Sequence, residues 1–145
     1  MSKSDSKEWR LKPETRKDID LFLEDIYPDS EKMGEMMAKR EAALQTSQAR
    51  GLENLTVSTS RFSEIINYIK NQAGKSAKGK GWNIFAEKML LKLKVIENKA
   101  REIGGNDPGT VLEVKLGLAR GWVKQVVAHY LYEKTREKGG NHDRK

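Results

Sequence analysis

The chain has 145 residues, of which 37% are hydrophobic and 34% are charged, and it contains no cysteine. This composition suits a single domain with a modest core, and it excludes disulfide and thiolate chemistry. No apolar run approaches the ~20 residues of a membrane span, and the start, MSKSDSKEWR, is polar, so we expect a soluble cytoplasmic protein with no membrane partner. The net charge is −1 over residues 1–73 and +8 over residues 74–145, which indicates an anionic partner, usually nucleic acid, or else a lysine-rich solvated surface.

The first half of the chain predicts two helices. Pro13 suits the first turn of a helix whose apolar residues recur at i, i+3, i+4 and i+7 up to a Tyr-Pro step. Asp29 or Ser30 can cap a second helix, which is predicted to reach Arg50 and to stop at Gly51.

The rest of the chain predicts three more helices. They span about residues 60–72, 82–103 and 108–138. Asp107 caps the last of them, and Pro108 occupies its first turn. No strand pattern is present, so the expected fold is all-α, a compact bundle of about five helices with a long C-terminal helix.

The expected domain organisation is simple. Residues 1–12 form a flexible N-terminal arm, residues 13–138 form a single helical domain, and residues 139–145 form a disordered tail.

Catalytic and metal-binding patterns are absent from the sequence. His129 lies in the predicted last helix without another ligand at metal spacing, and His142 lies in the predicted tail. We therefore expect no enzyme activity, no metal site and no cofactor.

The stretch GKSAKGKG, residues 74–81, is a near match to the phosphate loop of nucleotide hydrolases. Gly74, Gly79 and Lys80 fit the spacing, but Gly81 stands where a Ser or Thr must bind Mg²⁺. The segment before it has helical rather than strand periodicity, so we interpret it as a basic loop between helices.

Several cations could bind RNA. Arg61 lies at the start of the third predicted helix, where the helix end itself favours phosphate. The other candidates are Lys75, Lys78 and Lys80 in the loop, Lys92 and Lys99 on the fourth helix, and Arg120 and Lys124 on the last helix. Lysine binds phosphate as a point charge and does not read bases, so binding is expected to be independent of sequence. Trp82 and Trp122 stand near these cations, where they either stack on bases or pack in the core.

Three segments resemble the small helical subunit of type III-A CRISPR–Cas effector (Csm) complexes. They are LTVSTSRFSEIINYIK (55–70), MLLKLKVIENKAR (89–101) and WVKQVVAHYLYEKTREKGG (122–140). The resemblance covers about residues 55–140, while residues 1–54 are similar only in being helical.

The resemblance implies a non-catalytic subunit that stacks along a ribonucleoprotein in antiviral defence. Its partners would be the guide and target RNA backbone, other subunits of the complex, and further copies of itself in a filament or homodimer. Arg61 matches the family's RNA-facing arginine, Arg101 ends the matching middle helix, and Arg120 and Lys124 fall on the matching final helix.

Other functions remain open from the residues alone. The related small subunit of type III-B complexes belongs to the same class. A free-standing protein–protein adaptor or nucleic-acid-binding regulator is a different class, although a DNA-reading regulator needs Asn, Gln and Arg at base-reading positions where the fourth helix carries mainly lysine.

Overall fold

The computed structural model describes residues 11–143, with side chains described over 11–136. Within that range the chain is helical and has no strand, which confirms the all-α prediction with a long C-terminal helix. The six α-helices are α1 Pro13–Asp25, α2 Tyr27–Ala38, α3 Thr46–Ser58, α4 Phe62–Lys75, α5 Trp82–Gly104 and α6 Pro108–Asp143. A 3-10 turn, Arg40–Ala42, lies between α2 and α3. No helix in the described range is long and apolar enough to cross a membrane.

The prediction of one helix from about residue 30 to Arg50 is wrong. The backbone is extended at Lys39, makes the 3-10 turn, and adopts a left-handed conformation at Ala43 with φ of 54°. A capping box then starts α3, because the Gln45 N–H donates to Gln48 Oε1 and the Gln45 side chain accepts from the N–H of Gln48. Gly51, predicted to end the helix, lies inside α3 where the Tyr68 hydroxyl leaves no room for a side chain.

Tertiary packing causes this break. Ala42 and Leu44 are both buried, and the Tyr130 hydroxyl donates to the Leu44 carbonyl at 2.7 Å. In a continuous α-helix this carbonyl would instead accept a hydrogen bond from the backbone N–H four residues further along the chain. The burial of Tyr130 raises the pKa of its hydroxyl above the ordinary value.

The capped start of α6 is confirmed, whereas its end lies further along the chain than predicted. Asp107 Oδ2 accepts hydrogen bonds from the Thr110 hydroxyl at 2.8 Å and the Thr110 N–H at 2.9 Å, which confirms the predicted cap. These bonds hold the pKa of the exposed Asp107 carboxyl below its ordinary value. The helix continues to Asp143, five residues beyond the predicted end at Lys138, and residues 144–145 of the expected tail lie outside the described range.

The N-terminal arm is described only at its end. Leu11 is 8% exposed and belongs to the core, whereas residues 1–10 lie outside the described residues.

The core is built around α6, on which every other α-helix packs. Its fully buried side chains include Val114, Leu118, Ala119, Trp122, Val123, Val126 and Tyr130. These positions point in more than one direction around the helix, so α6 buries a broad surface rather than a single stripe. The helix is therefore a central element with α1–α5 arranged about it.

Glycine allows the closest helix contact. Gly34 of α2 faces α6, and a β-carbon there would lie 2.6 Å from His129 Cβ and 2.7 Å from the Val126 carbonyl oxygen. Backbone atoms cannot give way cheaply, so this position requires glycine.

We predict that Gly34→Ala lowers the free energy of unfolding by roughly 1–3 kcal/mol, the usual cost of overpacking a core. The matched control is Gly74→Ala in the last turn of α4, where a β-carbon meets nothing within 4 Å. That change should leave stability unchanged or raise it by up to about 1 kcal/mol, because alanine loses less backbone entropy. Urea unfolding of both variants checks the contrast, and equal effects would contradict the close α2–α6 contact.

Candidate nucleic-acid interface

The glycine-rich loop between α4 and α5 is a defined turn. Asn83 holds it from both sides, because its Oδ1 accepts from the Gly79 N–H at 3.2 Å and its Nδ2 donates to the Ala73 carbonyl at 3.4 Å. Gly79 and Gly81 have φ of 76° and 56°, a conformation that glycine adopts without strain. The segment that precedes the loop is helix α4, as predicted, and not the strand that a nucleotide-hydrolase phosphate loop needs.

The loop lies against the 3-10 turn. A β-carbon on Gly81 would be 3.7 Å from the Ala42 carbonyl oxygen, so the two segments meet at one end of the bundle. This contact puts the 3-10 turn, which directly follows Lys39 and contains Arg40, next to the loop segment that carries the three lysines. We call the five cations Lys39, Arg40, Lys75, Lys78 and Lys80 the basic end.

All five cations of the basic end are exposed, and within the described residues none forms an ion pair. Their positive charge is therefore directed at solvent. Glu41, also exposed, is the acidic residue of the same turn and reduces the local charge only in part.

Sequence reasoning missed Lys39 and Arg40. The stretch AKREAAL has strong helix formers throughout, which placed both residues in the interior of a predicted helix. Only the contact between the turn and the loop shows that they extend the predicted lysine cluster.

Tyr130 anchors the turn that carries these two residues. Besides its bond to Leu44, its ring lies 5.9 Å from the ammonium group of Lys134. Lys134 is a half-buried cation one turn further along α6.

Lys92 and Lys99, two of the predicted RNA-binding residues, lie on α5 and contact α2 and α1 respectively. Lys92 Nζ lies 3.4 Å from Asp29 Oδ2 on α2, and its side chain is only 18% exposed. Lys99 Nζ lies 5.7 Å from the centre of the Phe22 ring on α1 and pairs with Glu102 at 3.3 Å. Both ammonium groups therefore already interact with side chains of the protein itself.

Arg61 and Arg101 keep most of their surface free. Their side chains are 71% and 60% exposed, and each pairs with a carboxylate at 3.6 Å, Glu64 and Glu97 respectively. Exposed ion pairs contribute only about 0–1 kcal/mol, so either guanidinium can exchange its partner for a phosphate at little cost. Arg101 lies 19 residues along α5 from Trp82, about 29 Å at the helical rise, so it is remote from the basic end.

Arg120 has a structural position. Its Nε donates to the Thr56 carbonyl at 3.1 Å and its Nη2 to the Thr59 carbonyl at 3.4 Å, both at the C-terminal end of α3. Lys124, one turn further on α6, is exposed and borders a groove of about 770 Å³ between α1 and α6. Arg120 therefore stabilises the contact between α6 and α3, whereas Lys124 is an exposed cation on the same helix.

The tryptophans are core residues. Trp82 and Trp122 are both 0% exposed, and neither indole N–H has a hydrogen-bond partner in the described part of the chain. Neither ring can stack on a base in this conformation. Residues 11–136 also bring together no group of three or more His, Cys, Asp or Glu side chains that could hold a metal ion.

Comparison with family models, with curated proteins and with solved structures finds no match to this chain.

We predict that Arg120→Met lowers the free energy of unfolding by roughly 1–3 kcal/mol, because it leaves carbonyls at the end of α3 without a donor. Lys124→Met is the matched control, since that side chain is exposed and unpaired in the described residues, and it should change stability by less than about 0.5 kcal/mol. Thermal and urea unfolding of the two variants measure the difference. If the two variants were equally stable, Arg120 would not be a structural residue.

Proposed function

We propose that this protein is a non-catalytic small subunit of a type III-A CRISPR RNA-guided interference complex. It stacks along the complex and contacts the guide and target RNA backbone without sequence specificity. The observation that carries the RNA-binding part is the basic end, in which two separate segments present five exposed cations that form no ion pair with any described residue. The assignment to this family rests on the three similar segments within residues 55–140.

The chemistry of the basic end suits phosphate rather than bases. Four of its five cations are lysines, which supply a point charge without the planar fork that reads a guanine edge. Gly79 carries no side chain and has open space around it, so a phosphodiester chain can approach the backbone of the loop. A subunit that contacts guide RNAs of any sequence must bind the phosphate backbone without recognising particular bases.

Arg61 and Arg101 support a second region of RNA contact. They are exposed, their intramolecular ion pairs are weak, and both lie in segments that resemble the family, although Arg101 also donates a hydrogen bond to Asn98 at 2.9 Å. In an assembled complex, RNA that passes from one copy to the next would meet the basic end and this arginine region in turn.

A free-standing protein–protein adaptor is the second candidate function. Leu91, 63% exposed on the outer face of α5, favours it because a large apolar side chain in that position suits contact with another protein. An adaptor without nucleic-acid function would not bind RNA through the basic end, so one binding assay separates the two candidates.

We expect the protein to bind single-stranded RNAs of unrelated sequence with similar affinity and with steep salt dependence. Changing Lys75, Lys78 and Lys80 together to Ala should weaken binding at low salt and reduce the salt slope by about 0.7 for each phosphate that the variant no longer neutralises. Adding Lys39→Ala and Arg40→Ala should reduce affinity and slope further. Fluorescence anisotropy titrations at several salt concentrations measure both quantities.

The matched control changes Lys12, Arg16 and Lys17 to Ala. These exposed cations near the start of α1 carry the same total charge as the loop lysines and form no ion pair in the described residues. The control should retain most of the affinity if binding is localised at the basic end. Equal losses of affinity in the two triple variants would show that only net charge matters, and no RNA binding by the parent protein at low salt would favour the adaptor.

A further inference from the structure

The outer face of α5 carries an uncovered apolar stripe. Ile84, Leu91 and Val95 are 38%, 63% and 46% exposed, and their spacings of seven and four place them on one side of the helix. The opposite side holds Phe85, Met89 and Leu93, which are buried in the core. No described helix packs over the stripe.

We infer that this face binds a second copy of the same chain, with the two α5 helices antiparallel about a two-fold axis. Ile84, Lys88, Leu91 and Val95 have the four-and-three spacing of a coiled-coil seam. With the axis between positions 89 and 90, Ile84 lies opposite Val95 of the second copy, and Lys88 lies opposite its Leu91. Each apolar residue of the stripe is then covered, in part by the aliphatic stem of lysine.

Charge complementarity selects this arrangement. Glu87 and Lys94 flank the stripe on the same side, both are exposed, and within the described residues neither has an ion-pair partner. The two-fold axis places Glu87 of each copy opposite Lys94 of the other, so the dimer has two such ion pairs and each charge is paired once. Interhelical pairs of this kind set partner choice and orientation in coiled coils.

Other arrangements of the same helices are less favourable. A parallel pair in register would oppose Lys88 to Lys88 within the seam, which is repulsive. An antiparallel pair shifted by one heptad would place Ile84 against Glu102 of the second copy, a residue whose side chain is 70% exposed and charged. Only the proposed register covers the whole stripe and pairs the free charges.

The surface is small, so the association is weak. Stable interfaces bury about 800 Å² on each partner, and three partly exposed aliphatic side chains supply only part of that area. We expect monomers at low concentration and dimers at high concentration. The two-fold axis closes the contact, so this dimer differs from an open stack of copies along a complex, and it does not depend on RNA binding.

The test is sedimentation velocity over a wide concentration range without RNA. The parent protein should shift from a 16.5 kDa species to one of twice that mass as concentration rises. Glu87→Lys and Lys94→Glu should each remain monomeric, because each places like charges opposite one another. An equimolar mixture of these two variants should recover the dimer, since every flanking pair is then again of opposite sign.

Controls separate this face from other surfaces. Leu91→Glu should abolish the dimer, whereas Leu21→Glu on α1, a leucine 58% exposed, should leave it unchanged. Circular dichroism establishes that each variant is folded. A parent protein that stays monomeric, a dimer that survives Leu91→Glu, or a mixture that fails to associate would each overturn the inference.

Discussion

The fold depends on hydrogen bonds that α6 donates to the backbone of the segments around it. The last carbonyls of any helix lack an intrahelical donor and cost free energy when they are buried without one. In this protein Gln125 donates to the Leu23 carbonyl near the end of α1, Arg120 to carbonyls at the end of α3, and Tyr130 to the carbonyl of Leu44. The central helix therefore supplies both the apolar surface of the core and the polar partners that its neighbours need.

The bond to Leu44 has a consequence at the surface. Because it helps to hold the chain in an extended and 3-10 path after α2, Lys39 and Arg40 lie at the turn that contacts the glycine-rich loop and not on a continuous helix. A buried tyrosine thus shapes the basic end without touching solvent. The stability of the core and the geometry of the proposed RNA contact are linked through this one side chain.

The cations divide into two groups by what they do within the molecule. Lys92 and Arg120 hold neighbouring helices, so a phosphate could engage them only by replacing contacts that stabilise the fold. Within the described residues the cations of the basic end form no ion pair, so RNA binding there would release counterions without breaking one. This difference, and not the number of lysines, is what localises the proposed interface.

The sequence by itself determined the all-α class, the position of α5, the capped start of α6 and the basic loop, because periodicity, caps and glycines act between residues close in the chain. It did not determine the break after Ala38, since the donor that holds Leu44 lies 86 residues away. Burial of Trp82 and the engagement of Lys92 and Arg120 were likewise decided by helices that meet only in the folded chain. Local pattern fixes which residues are helical and charged, whereas tertiary packing decides which charges remain available to a partner.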